Sequence, residues 1–178
     1  MKRAVLGLVV AAAACSQRTA AVDREPTPAA ADAGAAAVAD GVLARVAGAA
    51  GPIRVEQRAG RRLLYIGDTL QAAVAWAGDR PDPAAVDPLV ALLRAARPQA
   101  RTALVIGLGS GHTAGDLAAA GLQVTAVDID PAVIEVARRW FGYRGDAVAA
   151  DGRAYLEQHQ GPWDLVIMDA FDGTRPAP

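Results

Sequence analysis

The sequence predicts an α/β domain built on a doubly wound, mostly parallel sheet, with a small β-hairpin region ahead of it. Three observations carry this expectation. From residue 101 onward, short apolar runs alternate with segments of helical spacing. The first of those runs, Thr102-Ala103-Leu104-Val105-Ile106, leads straight into Gly107-Leu108-Gly109-Ser110-Gly111. Acidic or glycine-rich residues then recur wherever a predicted strand ends. That carboxyl edge is where doubly wound sheets bind their ligands.

The chain opens with Lys2 and Arg3 and an uninterrupted apolar run over residues 4–14. As a helix that run would span about 16 Å, against a hydrocarbon core of roughly 30 Å, so it fits a secretory leader better than a membrane span. The small residues before the single cysteine, Cys15, resemble a bacterial lipoprotein signal. The resemblance implies lipidation of Cys15 and a lipid-anchored protein of the cell envelope, on the periplasmic side of the outer membrane. A downstream start codon would instead make the protein cytoplasmic. Residues 16–50 are rich in Ala, Asp, Pro and Gly and read as a disordered tether, with a short helix at 38–46 as its one ordered candidate.

The folded unit is expected from residue 51, as a β-region over 51–80 and a domain over 81–178. Residues 53–58 alternate apolar and polar, and residues 62–66 follow after Ala59-Gly60, the signature of a hairpin. Residues 70–76 give a third short strand. Helical spacing of Val86, Leu89, Val90 and Leu93 tolerates Pro88 only in a first turn. Beyond residue 101 the order is strand (102–106), helix (113–120), strand (122–127), helix from Pro131, strand (146–150), helix (152–159) and strand (163–168). Asp130 is placed as an N-cap, with Pro131 at the first helical position.

Composition excludes several functions. Hydrophobic residues make up 53%, but 44 of the 178 are alanine, so large apolar content is ordinary. A net charge of −1 provides no field to draw the whole chain onto nucleic acid. One cysteine and two distant histidines, His112 and His159, make a Cys- or His-based metal centre a poor fit.

The strand ends carry the chemistry. Gly107, Gly109 and Gly111 allow a tight turn and a close backbone approach to a ligand. Asp128 closes the second strand of the alternating unit, where a carboxylate can accept hydrogen bonds from two ribose hydroxyls. Its alternative reading is a surface turn. Asp151-Gly152 follows the third strand, as a base-edge contact or a plain N-cap.

These residues resemble the spermidine synthase (polyamine aminopropyltransferase) family, built on the class I methyltransferase fold, a Rossmann-like arrangement. The matching blocks are Val105-Ile106-Gly107-Leu108-Gly109-Ser110-Gly111, Val127-Asp128-Ile129-Asp130-Pro131, Asp151-Gly152-Arg153-Ala154-Tyr155-Leu156 and Asp164-Leu165-Val166-Ile167-Met168-Asp169-Ala170-Phe171-Asp172. The resemblance implies S-adenosylmethionine or its decarboxylated form as co-substrate, without a metal. It also implies a thioadenosine site lined by Gln71, Asp128, Asp151, Gly152 and Pro176. Asp169 matches the catalytic base, and Asp172 a second carboxylate on the amine side. Ser110, also on the substrate side, stands where the family carries an acidic residue. Ala85-Val86-Asp87-Pro88 replaces a Tyr-His-Glu segment. A polyamine acceptor follows from the resemblance; a small-molecule methyltransferase and a non-catalytic remnant stay open beside it.

The chain stops at Pro178, where the family continues with further strands, so a C-terminally incomplete domain with an inactive or open amine pocket is expected. The strand over 163–168 would then be an exposed edge, to be covered by a second copy or another partner.

Overall fold

The computed structural model of the protein describes residues 8–11 and 39–170. Cys15, the tether up to residue 38, Asp172 and Pro176 lie outside the described residues.

The first sheet is an antiparallel meander of β2 (Gly41–Gly48), β3 (Gly51–Arg58), β4 (Arg61–Ile66), β5 (Thr69–Ala77) and β6 (Arg80–Pro81), in that spatial order. Where a small hairpin region over 51–80 was expected, five strands run from Gly41 to Pro81. Within the segment expected to be helical at 38–46, the residues from Gly41 onward are strand. Val42 to Gly48 pair with β3, and Leu43, Ala44 and Val46 pack against the buried Ile53, Val55, Leu64 and Val74. Long-range pairing overrides the weak local helical pattern. The β3–β4 turn is set, as expected, by Ala59 and Gly60, both at positive φ (47° and 71°).

The second sheet holds β7 (Thr102–Ile106), β8 (Gln123–Asp128), β9 (Asp146–Ala149), β10 (Leu165–Met168) and β1 (Leu8–Ala11). Its order is β1-β10-β7-β8-β9, with every pair parallel. Among the described residues four helices accompany it: α1 (Pro88–Ala96), α2 (His112–Ala119), α3 (Pro131–Trp140) and α4 (Gly152–Gln158). Side chains alternate along β7. Ala103 and Val105 join Val90 and Leu93 of α1, Leu117 of α2 and Ile134 of α3, whereas Leu104 and Ile106 join Tyr155 and Leu156 of α4. The outer edge of β10 is not open: Leu8–Ala11, inside the leader-like run, lies along it.

The meander sits on α3. Val133, Val136 and Phe141 share a cluster with Ile53, Val55, Leu64 and Val74. Arg62, only 8% exposed, reaches across the join. Its Nη1 donates to the Trp140 carbonyl at 2.7 Å, its Nε to Gln57 Oε1 at 3.3 Å, and its guanidinium lies 3.6 Å from the Trp76 ring centroid. Burial lowers its pKa from the ordinary arginine value. Arg62→Ala is expected to cost about 1.5–3 kcal/mol in urea denaturation, since a charged donor and its packing are lost together. A loss near zero would show that the apolar cluster alone joins the two sheets.

Candidate functional site

The carboxyl ends of β7, β8, β9 and β10 meet at one edge, and the glycine loop after β7 forms its centre. Gly107 is at φ 91°. A Cβ there would run into the backbone carbonyl of Asp169, whose own N–H donates to Ile106 O at 2.7 Å. Gly107 therefore admits the chain leaving β10 rather than a ligand. Gly109, in contrast, has nothing within 4 Å of a built Cβ and opens onto free space. Cβ atoms at Gly111 and Gly152 would meet the Tyr143 ring and Ile106, so these two serve internal packing.

Asp128 holds the loop from the other side. Its Oδ2 accepts from Leu108 N at 2.9 Å and its Oδ1 from Asp130 N at 3.0 Å. Burial raises its pKa above the ordinary carboxylate value, and backbone donors from Asp130, Leu108 and Gly109 partly oppose that rise. A carboxylate has about four acceptor sites, so Asp128 retains capacity for further donors. Asp130 is a cap, as expected: Oδ1 accepts from Ala132 N at 2.9 Å. Its Oδ2 also takes Ala49 N at 2.6 Å, tying the β2–β3 turn to the same corner. Asp151 caps α4 through Ala154 N at 2.8 Å and remains exposed.

Asp169 is the first residue past β10. It has an exposed surface, yet its carboxyl is pushed up to about 6. Partial loss of hydration is the larger cause, and the charge of Asp87 the second. Sequence reasoning missed Asp87, treating its segment only as a lost family feature. Asp87 caps α1 through Leu89 N at 2.9 Å, accepts from Thr113 Oγ1 at 2.6 Å, and donates its own N–H to Asp116 Oδ2 at 2.6 Å. The Asp-Pro pair betrayed the cap in the sequence; its approach to Asp169 had no local signal.

Gln71 is the extra residue of a β-bulge. Leu70 pairs with Tyr65 and Ala72 with Leu64, leaving Gln71 between them and half-buried. Bulges re-aim side chains and are frequent beside active sites. Ser110 is buried at 6% exposure, its Oγ 3.4 Å from His112 N at the start of α2. Ile129, 66% exposed between Asp128 and Asp130, is a large apolar side chain at the edge that sequence reasoning did not single out. A cavity of about 420 Å³ is lined by Pro81, Gly111, His112, Asp116 and Tyr143 among others, and shares only Gly111 with the glycine loop. It contains none of Asp128, Asp151 and Asp169, and the site is placed at the strand ends because the carboxylates and the open Gly109 are there. Among the described residues no group of three or more His, Cys, Asp or Glu is arranged to hold a metal ion.

Residues 103–177 match a family model described as a methyltransferase domain. Over 77 residues the chain is 36% identical to a polyamine aminopropyltransferase of Neisseria meningitidis, covering 39% of this chain and 29% of that protein. Over 122 residues it is 33% identical to an N-terminal histidine N-methyltransferase of Emericella nidulans, covering 55% of this chain and 22% of that protein. A solved spermidine synthase in complex with the transition-state analogue AdoDATO superposes with a TM-score of 0.58 at 18% identity. That superposition covers 76% of this chain and 48% of the other, and at such identity it shows the fold alone. The chain thus spans less than a third of these two curated relatives and about half of the solved enzyme. Over residues 103–177 the α/β unit is similar to a methyltransferase domain, and its fold is that of the solved spermidine synthase. The curated proteins it resembles include polyamine aminopropyltransferases, and its structural neighbours include spermidine synthases.

Proposed function

We propose that the edge formed by the glycine loop, Asp128 and Asp169 binds decarboxylated S-adenosylmethionine and transfers its aminopropyl group to a polyamine. The observation that carries this reading is the placement of Asp169. Its backbone packs on Gly107 while Asp128 grips the next residue of the same loop, so a donor seated over the loop has a carboxylate on each side. The residues present suit such a donor. Asp128 keeps acceptor sites for ribose hydroxyls, Gly109 leaves room above the backbone, and exposed Ile129 offers an apolar surface to the base.

The chemistry needs a base. An alkyl amine with a pKa near 10.4 holds its proton at pH 7, and removing it costs about 4.6 kcal/mol at 1.36 per unit. Asp169 accepts that proton, and at about 6 its carboxyl is a stronger base than an ordinary aspartate while remaining ionised at pH 7. The amine lone pair then forms the new C–N bond as the C–S bond breaks, its electron pair going to the sulfonium sulfur and releasing methylthioadenosine. A second reading, methyl transfer from S-adenosylmethionine, draws support from Ser110, since the family's acidic loop residue is missing where the aminopropyl amine would be held. Product analysis with both donors and putrescine separates them.

Asp128→Ala is expected to weaken methylthioadenosine binding at least tenfold by calorimetric titration, because ribose hydroxyls lose a charged acceptor contributing about 1.5–3 kcal/mol per bond. Unchanged affinity in a folded variant would restrict Asp128 to holding the loop.

A further inference from the structure

We propose that the outer face of the meander is a docking surface for an anionic phospholipid membrane, held chiefly by its arginines. Strand alternation sends Ile53 and Val55 toward α3, and Arg54, Glu56 and Arg58 to the opposite face. Register places Arg45 directly opposite Arg54, and Arg61 directly opposite Arg58. Of these four, Arg54 is ion-paired, to Glu56 at 2.7 Å. Among the described residues Arg45, Arg58 and Arg61 make no ion pair or hydrogen bond, and all three are exposed. Four arginines against Glu56 leave three net positive charges on the β2, β3 and β4 strands of this face; Asp40 and Asp68 stand at its two ends. Like charges directly opposite one another destabilise a sheet. Two such pairs weaken the free fold, and an anionic surface would reverse their sign.

The face also carries what a bilayer interface takes besides charge. Val42 lies opposite Glu56 and Leu70 opposite Tyr65, and they are 48% and 47% exposed. Arginine lays its stem along apolar surface and keeps its head among phosphates, and tyrosine sits at the headgroup level. At the edge strand β2 the arginines continue onto α3. Arg45 and Arg139 line one depression of about 270 Å³ beside Trp140, large enough for a phosphate group, with Glu135 the one acid in it.

A membrane fits this face better than a nucleic acid does. Binding of single strands uses open aromatic planes on which bases stack. The aromatic ring on this face, Tyr65, has the Arg54 guanidinium 4.3 Å from its centroid. Exposed Val42 and Leu70 match acyl chains and not a phosphate backbone. Among the described residues no helix is long and apolar enough to cross a membrane, so the contact is a peripheral one. It is made by folded residues alone, and depends neither on a lipid at Cys15 nor on the transfer reaction proposed above.

The test uses the full-length chain in a Cys15→Ser background, which removes the acylation site. It is floated with vesicles of phosphatidylcholine, alone or mixed with phosphatidylglycerol. Binding is expected to the anionic vesicles only. Raising salt from about 0.1 M to 1 M shortens the Debye length from about 10 Å to 3 Å and should release it. Arg45→Ser with Arg58→Ser and Arg61→Ser is expected to weaken binding at least tenfold, since each arginine near an anionic surface adds to the attraction. Arg94→Ser with Arg101→Ser and Arg153→Ser makes an equal change of net charge in the α/β unit and should leave binding nearly unchanged. Equal losses in the two triple variants would assign the attraction to net charge and overturn the proposal. A second measurement needs no arginine variant and decides if the first triple fails to fold. An environment-sensitive dye on Leu70→Cys should shift to the blue on anionic vesicles, and the same dye on Leu92→Cys, exposed on α1, should not. Equal shifts at both positions, equal binding to neutral vesicles, or tighter binding of a single-stranded oligonucleotide than of anionic vesicles would each overturn it.

Discussion

Gly107→Ala is expected to destabilise the α/β unit by about 3 kcal/mol or more, or to prevent its folding. Two costs add. A side chain at φ 91° occupies a left-handed backbone region, at about 1–2 kcal/mol. The new Cβ would also meet the Asp169 carbonyl, part of a backbone that β10 and the Asp169-to-Ile106 hydrogen bond hold in place, and overpacking of this kind costs typically about 1–3 kcal/mol. Gly109→Ala is the control. It lies at φ 55° with nothing within 4 Å of its Cβ, so only the backbone cost applies. Urea denaturation of the two variants decides the matter. Equal losses would show that the close passage of Asp169 is not what Gly107 serves.

Asp169→Asn is expected to lower the transfer rate by about 10²–10⁴-fold, the range general base catalysis contributes, with methylthioadenosine affinity nearly unchanged. Wild-type activity should fall on acidification with a limb near pH 6, where Asp169 takes up its proton. Asp87→Asn removes the neighbouring negative charge and should move that limb to lower pH. A limb that stays near 6 in both Asp87→Asn and Asp169→Asn would assign it to another group. The same shift gives a stability signature of defined sign. The folded carboxyl binds its proton more tightly than the unfolded one, so this group's contribution is fully favourable below about pH 4. It declines as pH rises through about 6. Asp169→Asn should flatten that slope.

The strand–helix alternation from Thr102 to Met168 was legible because it depends on residues a turn or two apart. Apolar runs, the Asp130-Pro131 cap and the glycine loop all announce themselves locally, and the helices start where those signals stand. The positions of Gly109 and Asp128 after their strands were legible for the same reason. Partners distant in the chain were not. Gly41–Gly48 is a strand only because Ile53, Val55 and α3 supply an apolar surface for it, and an isolated reading of an alanine-rich segment contains no such surface. Gln71 became the bulged residue through the register between β4 and β5, which no single strand specifies. Asp87 modifies Asp169 across a separation of 82 positions, and Leu8–Ala11 meets β10 across more than 150. Local sequence thus determined the elements and which residues stand at their ends. Tertiary structure decided which carboxylates face one another and which strand closes the sheet, because charge approach and ladder register depend on distance in space rather than along the chain.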